Sequence, residues 1–176
     1  VNAAPIMKRV EERARLRLVE NPAGSVTVPR YELRRVRIGT ARYSVTRVGC
    51  MVDLASLVVP MLVPLVGESI LVVPLDGKNR VRGVYEVSRG GLHGAALTPI
   101  DVLRVVIAEN VNAFAMAHNH PSGDPTPSAD DVAMTKLMVD AMKLIGVTFI
   151  DHLVVAGDEE CSRVFSLRDH AMGGLE

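Results

Sequence analysis

The 176-residue chain has no tryptophan, three tyrosines and three phenylalanines. Platforms that stack the bases of single-stranded nucleic acid need aromatic faces, so this composition argues against one. It also requires a core of Val, Leu, Ile, Met and Ala. Net charge is missing too. Twenty basic residues balance twenty acidic ones, so no overall field draws the chain to nucleic acid or to an anionic membrane. The two cysteines, Cys50 and Cys161, lie far apart and outside any C-x-x-C pattern. They are expected as reduced packing thiols, in keeping with a cytoplasmic location, rather than as a disulfide. Long hydrophobic runs are absent as well. The most apolar stretch, "LASLVVPMLVPLVG" (54–67), carries Pro60 and Pro64 and is too short to span a bilayer. No segment reads as a signal peptide.

Hydrophobic residues make up 48% of the chain, enough for one globular domain with a full core. Residues 5–20 have the pattern of a charged amphipathic helix, with Met7, Val10, Ala14 and Leu18 on one stripe. "YELRRVRI" (31–38) reads as a strand. Six arginines fall in residues 30–47. They suit either a phosphate-binding stripe or a solvated edge strand whose charge blocks unwanted pairing, and the second is the simpler reading. Residues 1–48 are thus expected as an arm of helix plus strand that docks on the domain or joins two chains in a homodimer. The apolar 54–67 stretch is a second candidate dimer contact.

From residue 49 the pattern alternates. Residues 50–59 look helical. "ESILVVPLD" (68–76) and "RVRGVYEVS" (80–88) form a hairpin around "GKN". A loop, "RGGLHG" (89–94), precedes a helix capped by Thr98, with Pro99 at its first position and Asp101 three residues after the cap. "NAFAMAH" (112–118) is expected as the central strand. Ser128 opens a helix with an apolar stripe of Met134, Leu137, Met138, Ala141 and Ile145, stopped by Gly146. Strands at 147–157 and 161–167 complete an α/β fold, a mixed sheet flanked by helices. Residues 171–176 are taken as a tail, and Leu175-Glu176 is set aside as an appended remnant.

The chemistry is concentrated in "AMAHNHPSGDPTPSADD" (115–131). On an extended chain, residues i and i+2 point to one side, so His118 and His120 can converge where a strand ends. The loop returns the chain to Ser128, and Asp131 in the next helical turn can point back to the same place. Two imidazoles and one carboxylate supply three ligands and leave a fourth position open, the pattern of a catalytic zinc. The weaker reading of each part is structural. Ser128-x-x-Asp131 is an ordinary capping box, and Thr98-x-x-Asp101 repeats it with no His-x-His before it. Only the combination at a strand–loop–helix junction is specific. For a general base the residues leave Glu68, Glu86, Glu109 and Asp151 open.

His118-x-His120-x7-Ser128-x-x-Asp131 resembles the signature of the JAMM (JAB/MPN+) metalloprotease group. "AHNHPSGDPTPS" is similar to its bacterial RadC branch, and the similarity runs from about residue 50 to 168, through "LDGKNRV", "EVSRGGL" and "DHLVVAG". The resemblance implies an MPN (JAB) fold over residues 49–170, cytidine-deaminase-like. It implies one zinc per chain on His118, His120 and Asp131, a general base at Glu86, and Ser128 bonded to the water or the oxyanion. The implied reaction is hydrolysis of an amide bond in a peptide or isopeptide-linked protein. Two departures stand out. The arm does not resemble the helix-hairpin-helix region usual in RadC proteins, and "RGGLHG" places Gly91 and His93 where the family typically has Thr and Asn. His93, Asp124 and the Asp151–His152 pair are minor candidates for the site. A DNA-repair or DNA-binding role, or a metal-binding interaction module without catalysis, are the alternatives. A zinc base deaminase would need His-x-Glu and Pro-Cys-x-x-Cys, and neither occurs.

Overall fold

A computed structural model describes residues 45–89, 97–158 and 160–175. The chain divides into two units, residues 1–40 and 41–176, and the account below concerns the second. The helix expected over 5–20, the strand over 31–38 and the loop bearing His93 lie outside the described residues.

The elements follow in the order α1 (Met51–Leu62), β1 (Ser69–Leu75), β2 (Tyr85–Arg89), α2 (Pro99–Glu109), β3 (Ala113–His120), α3 (Ala129–Ile145), β4 (Thr148–Gly157) and β5 (Ser162–Ser166). They form one five-stranded sheet in the order β2-β1-β3-β4-β5. β3 and β4 run parallel through the α3 crossover, and the other pairs are antiparallel. This is the mixed sheet flanked by helices that the sequence predicts. β3 is its centre, buried along seven of its eight residues. A strand enclosed on both faces reads as a continuous apolar run, and "AFAMA" is one.

Alternation along the strands splits the core in two. Ile70, Val72, Phe114 and Met116 face α2 and α3, where Val102, Val106, Met138 and Met142 meet them. Leu71, Val73, Ala115 and Ala117 face α1, which contributes Leu54, Leu57, Val58 and Leu62. Among the described residues, the rings of Phe114 and Phe149 stack across the parallel pair.

Caps define the helix ends. Asn110 closes α2 and Gly146 closes α3, both in the left-handed region. Gly157 ends β4 at φ +103°, where a Cβ would lie 2.1 Å from the Cys161 carbonyl oxygen, so only glycine fits there.

Four details differ from expectation. β2 begins at Tyr85 rather than at residue 80. Pro74 accepts from the Arg82 N–H but has no N–H to return, so a rung of the ladder is missing. In α3 the buried positions are Thr135, Met138, Val139 and Met142, whereas Leu137 and Ile145 are half exposed. Cys50 and Cys161 are exposed free thiols, not packing residues. Leu175, set aside with the tail, is buried in the α2/α3 core. Among the described residues no helix is long and apolar enough to cross a membrane.

Candidate metal centre

The carboxyl end of β3 is where the central strand leaves the sheet and the crossover to α3 begins. Ligand sites favour this place because neighbouring elements diverge there and open a crevice. His118 pairs with Ile70 and with Val154 of the adjacent strands, so its ring lies on the α3 side of the sheet. It is fully buried, and His120 at the strand end is partly exposed. Asp131 sits in the first turn of α3 and reaches back to both. Its Oδ1 is 3.3 Å from His118 Nε2, and its Oδ2 is 3.4 Å from His120 Nε2. The two Nε2 atoms are 3.0 Å apart.

These spacings suit a metal. A tetrahedral site with bonds of about 2.0–2.1 Å has edges of about 3.3–3.4 Å. His120 Nδ1 lies 2.9 Å from the Asp124 carbonyl oxygen, which can only accept, so Nδ1 carries a proton and Nε2 is the ring's free ligand atom. The two Nε2 atoms and the carboxylate meet at one point, where either a proton or a metal cation can be shared among them. His118, His120 and Asp131 could therefore hold a metal ion.

Charge reinforces the cluster. Burial works against ionisation of Asp131, but hydrogen bonds with His118 and His120 outweigh it and hold the carboxyl well below its ordinary range. Its place near the helix N-terminus acts in the same direction. Asp131 raises the pKa of His120 against the opposing effect of burial, with help from the Asp124 carbonyl and from the charge of Glu68.

Ser128 is tied to Asp131. Its hydroxyl donates to Oδ2 at 2.6 Å, its N–H donates to the same oxygen at 2.7 Å, and its Oγ accepts from the Asp131 N–H. Thr98 and Asp101 form the same box at the head of α2, with no imidazole beside it among the described residues. The carboxylate–histidine contacts distinguish the two boxes.

The candidate bases separate clearly. Glu86 pairs with Leu71 and its carboxylate accepts from the Ser69 hydroxyl at 3.0 Å. Leu71 belongs to the α1 face, so Glu86 lies on the opposite side of the sheet from the histidines, and the structure does not bring it to the cluster. Glu109 accepts from the Tyr85 hydroxyl at the end of α2. Asp151 accepts from Ser166 Oγ, the His152 N–H and the Arg168 N–H, which ties β4 to β5. Glu68 stands immediately before β1. The charge of Glu68 acts on His120, which puts it within electrostatic reach of the cluster.

The loop is built to hold this geometry. Asp124 Oδ1 accepts from the backbone N–H and hydroxyl of Thr126, which fixes the turn and lowers the pKa of Asp124. Arg163 of β5 donates to the Gly123 carbonyl. Behind the ligands, His152 contacts His118, and Thr135 contacts His152. Sequence reasoning weighed His152 but missed Thr135 and Asn119. A polar residue at a buried helix position is the signal that could have exposed the former. His170 stacks on Phe165, away from the site.

An α/β domain with two histidines and an aspartate that could hold a metal at the end of its central strand is the class that fold and site define. The RadC-like JAB domain family matches residues 48–172, and the chain belongs to that family. Relatives include UPF0758 proteins of Clostridium perfringens (36% identical over 117 residues, 66% of this chain and 50% of the relative) and of Desulfitobacterium hafniense (36% over 120 residues, 68% and 51%). A UPF0758 protein of Listeria welshimeri is 35% identical over 129 residues, 73% of this chain and 57% of its own. The chain therefore spans about half the length of the curated relatives it matches.

Proposed function

We propose that the protein is a zinc-dependent metallohydrolase that cleaves an amide bond in a peptide or isopeptide-linked protein. The observation that carries this reading is the convergence of His118 Nε2, His120 Nε2 and the Asp131 carboxylate, 3.0–3.4 Å apart, at an open strand end. Three protein ligands with a position left open suit a catalytic zinc rather than a structural one. Zinc bound there would polarise the scissile carbonyl and bring the pKa of an attacking water close to neutral.

The chain's own residues supply the rest. Glu68, whose charge acts on His120, takes the proton from the attacking water and delivers it to the leaving amine. This replaces Glu86, which lies on the other face. Ser128 holds Asp131 in its ligating orientation. It also remains our candidate to hydrogen-bond the oxyanion, which requires its hydroxyl to turn from Oδ2. A groove beside His120, lined by Leu62, Leu65, Asn119, Pro121 and Val155, would receive a substrate side chain next to the scissile bond.

Profiling with linear-peptide and isopeptide libraries, with and without a chelator, tests this function. Cleavage that is lost on chelation and restored by zinc supports it. Zinc-loaded protein that cleaves neither library, or turnover unaffected by chelation, overturns it.

A further inference from the structure

Thr135 and His152 lie behind the ligands and are almost completely buried, at 1% and 3% exposure. Thr135 Oγ1 is 2.7 Å from the Asp131 backbone carbonyl oxygen and 2.7 Å from His152 Nδ1. Two oxygens that close need a proton between them, and only the hydroxyl has one to give. Thr135 therefore donates to the Asp131 carbonyl and presents only lone pairs to His152, so His152 Nδ1 must carry hydrogen. Its ring packs against His118 and Phe149, and no carboxylate hydrogen-bonds it among the described residues, so it is neutral. A neutral ring protonated at Nδ1 has a bare Nε2, and that atom is 2.9 Å from His118 Nδ1. His118 must then donate from Nδ1, which turns its Nε2 toward His120 and Asp131.

We propose that Thr135 and His152 are positioning residues that lock His118 in the Nδ1–H tautomer and so commit its Nε2 to the metal. The relay begins at the backbone of one ligand, Asp131, and ends at the ring of another, so α3 and β3 are set together. His120 needs no such relay, because the Asp124 carbonyl does the same task from the loop. Groups that orient a metal-bound histidine through its second nitrogen typically change metal affinity by about 10–100-fold when removed.

The inference rests on the metal-site reading, and two measurements keep their failures distinct. Long-range nitrogen–proton spectra of metal-free, 15N-histidine-labelled protein at neutral pH report each tautomer without any metal. Nδ1–H forms of both His118 and His152 are expected, and an Nε2–H form of His118 overturns the relay. Zinc titration then compares variants. Thr135→Val is expected to mix the His118 tautomers and weaken zinc binding by about 10–100-fold, and Thr135→Ser is expected to restore both. Zinc affinity and tautomer unchanged in Thr135→Val, or a Thr135→Ser as impaired as Thr135→Val, overturn the proposal. His152→Gln provides the same comparison if Thr135→Val does not fold. Correct tautomers in a parent protein that binds no zinc would instead sink the metal reading and leave the relay standing.

Discussion

Asn119 and Ser69 close the end of the central ladder: the Asn119 side-chain carbonyl accepts from the Ser69 N–H at 2.8 Å. The Asn119 amide donates to the Gly67 and Leu65 carbonyls at 3.1 and 3.4 Å. The residue between the two histidines thus points to the opposite face and holds the segment that carries Glu68. Asn119→Ala takes this partner from one buried N–H and two carbonyls, at about 1–3 kcal/mol for each group left unsatisfied. Urea denaturation should show that loss. Zinc affinity should stay near parent, because neither histidine changes partner, while turnover falls as Glu68 loosens. Unchanged turnover would separate Glu68 from the chemistry.

His118→Ala, His120→Ala and Asp131→Asn test the ligand set directly. Elemental analysis should find about one zinc per parent chain and little in each variant. Asp131→Asn keeps an acceptor for the Ser128 N–H, so it separates ligation from capping. Zinc at a hundredfold excess over its dissociation constant should stabilise the parent by about 2.7 kcal/mol, and that gain should vanish in the variants.

Glu68→Gln and Glu86→Gln should behave oppositely. Both should retain zinc. Glu68→Gln should lower kcat by about 10²–10⁴-fold, the usual worth of a general base. Glu86→Gln weakens the acceptor for the Ser69 hydroxyl on the other face of the sheet and should stay within a few-fold of parent. The reverse result would return the base to Glu86.

That pair shows what the sequence could and could not tell. His-x-His with Ser-x-x-Asp was legible because the spacing fixes which side chains share a face. The strands after residue 67, both later helices and the caps at Thr98, Ser128 and Gly146 were legible from local rules. The base was not, because strand register decides a face, and a slip of one residue inverts it. Glu68 and Glu86 each sit at the margin of an apolar run, and only the pairing with β3 separates them. Thr135 was hidden because a buried threonine interrupts the apolar stripe, while Leu137 and Ile145 imitate one. Leu175 was discounted as a remnant, yet a left-handed turn at Gly173 lets the last residues pack on α3. A Cβ at Gly173 would meet Thr135 Cγ2 at 2.7 Å. Gly173→Ala should therefore weaken zinc binding by pushing on Thr135, a coupling that titration can read.

Asp151 supplies the pH dependence. Burial raises its pKa above the ordinary 3.8, against the hydrogen bonds from Ser166, Arg168 and His152 that favour the charged form. A carboxyl whose pKa is higher folded than unfolded binds its proton more tightly in the native state. Its contribution to stability is therefore complete at low pH and is lost as pH rises from about 3.8 through the raised value. Asp151→Asn imitates the protonated form: its carbonyl can accept from the His152 and Arg168 N–H groups, and its amide can donate to Ser166 Oγ. The variant should match the parent in acid and become the more stable of the two as pH rises through that window. Urea denaturation across a pH series reads the difference. A gap that stays constant, or one that narrows as pH rises, would mean the three donors outweigh burial and that Asp151 serves the β4–β5 junction as a fully charged clasp.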